Sequence, residues 1–248
     1  MEHGGWGFLF EPIILGLALA PSGKGWALAI AAVASFLVRQ PLKVWWGDYA
    51  AKKSLPRTAV AIAIALIYGL IALAGLATAF IGALPAAAPL LFAGPLVAGL
   101  LWYDLRGRSR NLAPELAAPV ALAAVAASIV MLGGWGLPEA LAVWALLSLR
   151  AVPSVLYVRS RLRVEYGRAT NRAVPVAAHA AAIALAFWLA QLDLAPFSVL
   201  PLYGLLLLRA GAGLSALRRK ASARAVGFSE IGWGTVAVVW IALAFRLA

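Results

Sequence analysis

Three arginines, Arg39, Arg150 and Arg209, lie in stretches that are otherwise almost wholly apolar, and so do Glu2, His3, Glu11, Glu115, His179 and Glu230. A guanidinium grips a phosphate or carboxylate through paired hydrogen bonds, and helix amino termini add partial positive charge. These residue types therefore suit an anionic ligand, either phosphate-bearing or lipid. The carboxylates either neutralise the arginines at rest or accept protons. Each residue also has a structural reading. Arginines near a helix end reach the headgroups, carboxylates in a first turn gain from the helix dipole, and a lone His179 among alanines packs with its ring nitrogen satisfied. Ionisable groups at membrane depth are costly, which makes Glu2, His3, Glu11, Arg39, Arg150, His179, Arg209 and Glu230 the candidate ligand-binding set.

Other chemistries are excluded by composition. The chain has no cysteine, so disulfides, thiolate metal sites and thiol nucleophiles are ruled out, and two histidines are too few for a multi-His metal cage. No phosphate-binding glycine loop, dinucleotide motif or Ser-His-Asp pattern occurs. No residue is assigned a catalytic role, no metal site is expected and the sequence names no cofactor.

The elements that must position these residues are membrane helices. Of 248 residues, 64% are apolar and 12% charged, with a mean hydropathy of +0.93. A span needs about 20 apolar residues to cross about 30 Å of hydrocarbon. The 46 positions between Arg57 and Asp104 carry no charge and make two spans, joined around Gly82 and Pro85. Dividing the chain this way predicts an all-α, polytopic transmembrane bundle forming one integral domain over 1–248. Its spans fall near 6–22, 26–46, 58–80, 84–103, 113–132, 138–157, 174–192, 195–210 and 227–247. Eight spans remain an alternative to nine, because the eighth has only 15 uncharged residues between Asp193 and Arg209 and contains Pro196 and Pro201. Ala18-Leu19-Ala20 has the look of a processing site, but Pro21 follows it and the preceding region is acidic, so the first segment is expected to be a retained helix.

Lysine and arginine set the orientation. Loops after the second, fourth, sixth and eighth spans hold sixteen of them, including Lys43, Arg106, Arg159, Arg161, Arg163 and Arg218, against only Lys24 and Arg246 on the other side. The amino terminus is thus expected in the cytoplasm and the protein in a bacterial inner membrane. The net charge of +12 then reflects topology and attraction to anionic lipid, not nucleic-acid binding. The candidate residues fall into one layer at the inner leaflet, where they would line a cytoplasm-facing cavity. Oligomeric state is not legible.

Spans two and six share a pattern: Arg39-Gln40-Pro41 with Tyr49 beyond, and Arg150-Ala151-Val152-Pro153 with Tyr157 beyond. Such a match is a possible trace of duplication. Trp45, Trp46, Trp102 and Tyr103 fit an aromatic belt at the inner interface.

The opening Glu2-His3-Gly4-Gly5-Trp6-Gly7, with Glu11-Pro12 and an apolar run to Pro21, resembles the YwiC-like family of bacterial multi-span membrane proteins. The likeness extends to Phe36–Leu42 and to Val226–Gly232, so that Glu2, His3, Trp6, Arg39, Pro41 and Glu230 match the family's pattern. The resemblance implies an integral membrane protein and brings no established reaction. The nine-span topology with a polar inner cavity also looks like the UbiA-type prenyltransferases, which hold magnesium and an isoprenyl diphosphate with two aspartate-rich motifs. Here Asp48 stands alone in the first such region, and the second has no carboxylate before Glu165. Three function classes stay open: a lipid-modifying or prenyltransferase-like enzyme, a carrier for a small anion or metabolite, and a non-catalytic partner or assembly factor whose polar layer binds anionic headgroups or another subunit; anionic lipid or isoprenoid phosphate are the partners considered.

Overall fold

The computed structural model describes residues 3–52, 55–108 and 111–248, with side chains from Trp6 onward. Among the described residues the chain is helical and contains no strand. The α-helices are α1 (His3–Leu19), α2 (Gly23–Ala50), α3 (Pro56–Phe80), α4 (Ala88–Leu105), α5 (Leu112–Leu132), α6 (Leu137–Glu165), α7 (Ala173–Gln191), α8 (Leu200–Leu214) and α9 (Ala223–Arg246). Short 3-10 segments, Leu84–Ala87 and Phe197–Val199, lead into α4 and α8. Local signals place the starts. The Ser22 hydroxyl accepts from the Gly25 amide at 3.0 Å ahead of α2, and the Ser222 hydroxyl accepts from the Ala225 amide at 3.2 Å ahead of α9.

Among the described residues, eight helices, α2 to α9 with their leading 3-10 segments, are long and apolar enough to cross a membrane, while the apolar part of α1, Trp6–Leu19, is shorter. As expected, the eighth is a short one: α8 itself has 15 residues and reaches spanning length only with its 3-10 lead-in, while α1 has 17. Pro196 precedes the 3-10 segment, and Pro201 sits in the first turn of α8, where a missing N–H breaks no helical bond.

Several sequence boundaries need correction: α8 ends at Leu214 and α9 begins at Ala223, where 210 and 227 were expected, and two helices pass through a proline. The second and sixth helices run through Pro41 and Pro153 and continue to Ala50 and Glu165, beyond the expected 46 and 157. Lys43, Arg159, Arg161 and Arg163 are thus helical and not in loops. A proline removes one backbone donor, and a helix held by its neighbours tolerates the loss.

The core joins α1 and α5 to α9 around Leu15, Val143, Leu146, Leu202, Leu206 and Ile241. Helix α1 packs against α5 and α9, α3 lies on α2, and α4 lies on α5. A side chain at Gly16 would put its Cβ 2.9 Å from Ile129 Cβ, so glycine is what lets α1 and α5 close. Polar groups tie the layers together. The Tyr203 hydroxyl donates to the Leu146 carbonyl at 2.7 Å, and Trp144 Nε1 donates to the Val120 carbonyl at 2.7 Å.

Outside the core, α3 exposes Val60, Leu66, Ile67, Leu70 and Leu73. A helix apolar on all sides is stable only where its surroundings are apolar too, and with these spans the chain is a multi-pass membrane protein.

Candidate functional site

Four helices bring four of the candidate residues together. Arg150, on α6, has a side chain only 1% exposed, and its Nη1 lies 3.0 Å from Glu11 Oε2 on α1. Its Nη2 donates to the Glu230 carbonyl on α9 at 3.0 Å. The Glu230 carboxylate in turn pairs with Arg209 of α8. Aromatic rings flank that second arginine: its guanidinium carbon lies 4.3 Å from the Tyr157 ring centre and 5.5 Å from that of Trp233. Two carboxylates and two guanidiniums thus alternate through the bundle with their formal charges balanced. Gly234 makes the arrangement possible, because a Cβ there would collide with the Glu11 carboxylate and stand 2.9 Å from Arg150 Nη2.

A cavity of about 390 Å³ opens beside this cluster, between α1, α5, α6 and α9. Glu11, Arg150 and Ser154 lie deep in it. At its outer edge Arg159 pairs with Glu115 at 2.7 Å, both being more than a third exposed. Phe8, Val155, Val158 and Ile231 supply apolar walls, and Gly7 and Gly227 leave room between the helices. Two buried donors in this lining have no hydrogen-bond partner among the described residues: Arg150 Nε and, one turn on along the same helix face, Ser154 Oγ. Glu230 Oε2, also of the lining, and Arg209 Nε and Nη1 behind it are without partners too. Buried polar atoms are nearly always hydrogen-bonded, so such a concentration marks the place where a polar ligand or water would be held.

The remaining candidates go elsewhere. Arg39 forms a two-pronged pair with Asp104 of α4, at 2.9 and 3.0 Å, and Lys43 approaches the same carboxylate at 3.4 Å. It is therefore apart from the Arg150 cluster, although its spacing to a following proline is similar. His179 is buried and donates from Nδ1 to the Pro175 carbonyl at 2.7 Å, with Nε2 unpaired. Glu2 and the His3 side chain lie outside the described residues. The expected single layer is thus a buried tetrad, a separate Arg39–Asp104 pair and a histidine whose Nδ1 is engaged with its own helix.

Much of the basic charge is structural. Arg161 donates to the Gly213 and Arg219 carbonyls, and Arg172 Nη1 donates to the Leu214 carbonyl at 3.1 Å, so both cap the end of α8. Asp48, which is buried, accepts from Arg57 at 2.6 Å and from the Thr58 hydroxyl at 2.6 Å, clasping α2 to α3. Trp45, Trp46 and Tyr49 gather in ring contact near that end of α2.

Sequence reasoning missed Ser154 and Asp104. Ser154 is four residues beyond Arg150 and hence on the same face of the helix, a signal that was available. Asp104 ends the 46-residue uncharged stretch, which marks it as a helix-end acid but does not name its partner.

A family model for YwiC-like proteins matches residues 1–131, just over half of the chain. The chain belongs to the YwiC-like family. The matched part of this YwiC-like chain includes Glu11 and Arg39, whereas Arg150, His179, Arg209, Glu230 and the string Val226–Gly232 lie beyond it. No curated protein and no solved structure matches, so the likeness to UbiA-type enzymes has no matching structure behind it. Among the described residues no three histidine or acidic side chains gather as a metal-holding group would require.

Proposed function

We propose that the cavity between α1, α5, α6 and α9 binds a phosphate-bearing amphiphile, a lipid headgroup or an isoprenoid phosphate, entering from the cytoplasmic leaflet of a bacterial inner membrane. One observation carries this reading. Arg150 Nε and Ser154 Oγ are buried donors without partners on successive turns of α6, in a cavity whose other walls are largely apolar. A phosphate accepts such donors through several oxygens at once, and acyl or prenyl carbon fits the apolar walls. Arg159 at the edge, with the many cations at the same ends of the helices, raises the local concentration of anions.

The test is native mass spectrometry of the detergent-purified protein with phosphatidylglycerol or farnesyl diphosphate, using phosphatidylcholine as the zwitterionic control. Retention of an anionic ligand by wild type, weakened in Ser154→Ala and lost in Arg150→Gln, supports the reading. Equal retention of phosphatidylcholine, or retention untouched by both substitutions, overturns it.

A carrier role is a second reading, favoured by a separate hollow. At the opposite end of the bundle Glu139 and Asp193 line a depression of about 600 Å³. Tyr203, Leu146 and Leu202 pack within the core, between the two ends of the bundle. Alternating opening of two such cavities is what a carrier needs. Uptake of a labelled anion into proteoliposomes would distinguish it from static binding.

A further inference from the structure

Resting on the reading of this cavity as an anion site, we propose that binding of a phosphate-bearing anion at Arg150 is coupled to uptake of one proton by Glu11. The argument is one of charge balance in a buried place. Glu11, Arg150, Glu230 and Arg209 are each at most 16% exposed at the side chain and together carry no net formal charge. A monoanion held by Arg150 Nε and Ser154 Oγ adds a negative charge where water cannot screen it, and it shares with Glu11, which sits on Nη1, the single positive charge of that guanidinium. Neutralising one carboxylate restores the balance, and Glu11 is the carboxylate whose counter-charge is then divided. Glu230 keeps Arg209.

The groups facing Glu11 support that choice. From α6 it meets Arg150, from α9 it faces Glu230 and Gly234, and across the cavity from α5 stands Glu115, itself paired with Arg159. Helix α2, which also packs on α1, sends its cations and its acid to other partners: Lys24 to the Ile81 carbonyl, Arg39 and Lys43 to Asp104, and Asp48 to Arg57. Among the described residues no second cation is thus placed to balance Glu11 when the charge of Arg150 is shared with a ligand. The proton comes from the cytoplasmic side through the open edge of the cavity, converting the carboxylate to the acid with no other bond changed.

Dihexanoyl phosphatidylglycerol and its deacylated headgroup, glycerophosphoglycerol, are suitable probes, because a phosphodiester keeps one negative charge across the working pH range. Titration calorimetry of the full chain in buffers of different ionisation heat counts the protons taken up. The expected result is one proton per anion in wild type and none in Glu11→Gln. As a check that needs no variant, the wild-type Kd should rise about tenfold per pH unit above the range in which free Glu11 titrates. Binding by wild type without proton uptake, or uptake that persists in Glu11→Gln, overturns the coupling and leaves the anion site standing. Failure of both probes to bind folded wild type overturns both. Binding of the lipid alone identifies the ligand source as a membrane lipid, and equal binding of the headgroup identifies a free phosphodiester, with the coupling read from the proton count in either case.

Discussion

Arg150 holds Glu11 at 3.0 Å from a helix more than 130 positions away in sequence, and its own side chain is 1% exposed. The pair fixes the first helix to the sixth in the interior of the bundle. Because Arg150 also donates to the Glu230 carbonyl, a single guanidinium is the joint of α1, α6 and α9.

Removing one member of this joint leaves a buried charge without its partner. Arg150→Leu is expected to lower stability by about 3–5 kcal/mol. In Glu11→Leu/Arg150→Leu, which buries no unpaired member of that pair, much of the loss returns. Thermal unfolding in detergent, followed by tryptophan emission, measures both variants. A double variant no more stable than Arg150→Leu would show that the pair is not coupled.

Space is the second requirement. Gly234 faces the ion pair, and a methyl group there would stand 2.9 Å from Arg150 Nη2. Gly234→Ala should cost about 1–3 kcal/mol by overpacking and weaken phosphatidylglycerol retention. Gly232→Ala, two residues away with open space at its Cβ, should change neither. Comparing the two melting curves and the two lipid-bound fractions separates a steric effect from a general effect of alanine on α9.

Arg39 sits in a different setting. Its side chain is 39% exposed and it meets Asp104 near the end of α4, where water and headgroups screen the pair. Arg39→Gln is expected to change stability by no more than about 1 kcal/mol and to leave ligand retention intact. Loss of lipid binding in that variant would place Arg39 in the site and contradict the separation of the two clusters.

The helices were legible because charge-free stretches of span length can only be satisfied by helices in lipid, and the boundaries of α3, α4, α5 and α7 fall within a few residues of those expected. The ends of α2 and α6 were not, since Pro41 and Pro153 signal termination locally while packing decides otherwise. That these charges sit inside helices was readable from sequence, but pairing was not. Arg39 and Arg150 each precede a proline and a tyrosine at similar spacing, yet one meets Asp104 and the other Glu11, because helix neighbours are chosen by the whole bundle. Ser154 was overlooked for a different reason: a serine in a membrane helix usually bonds back to its own backbone, as Ser148 does to the Trp144 carbonyl at 2.8 Å, and nothing local shows that Ser154 does not.

Orientation decides which leaflet the cavity serves. By sequence, sixteen lysines and arginines fall around one set of connections, and the two exceptions, Lys24 and Arg246, are engaged as caps. Lys24 Nζ donates to the Ile81 carbonyl at 2.8 Å just beyond α3, and Arg246 Nη2 donates to the Ala18 carbonyl at 2.7 Å in the last turn of α1. Their positions are thus explained by helix-end carbonyls, and the expectation of a cytoplasmic amino terminus rests on the other sixteen. The chain has no cysteine, so single substitutions report cleanly. In intact spheroplasts a membrane-impermeant maleimide should label Gln191→Cys, at the end of α7, and not Ala216→Cys, between α8 and α9; permeabilisation should expose both. Labelling of Ala216→Cys alone in intact cells would invert the topology and put Glu115 and Arg159, at the edge of the cavity, on the outer leaflet. Anion binding would then survive as chemistry, but a proton for Glu11 would have to come from outside the cell.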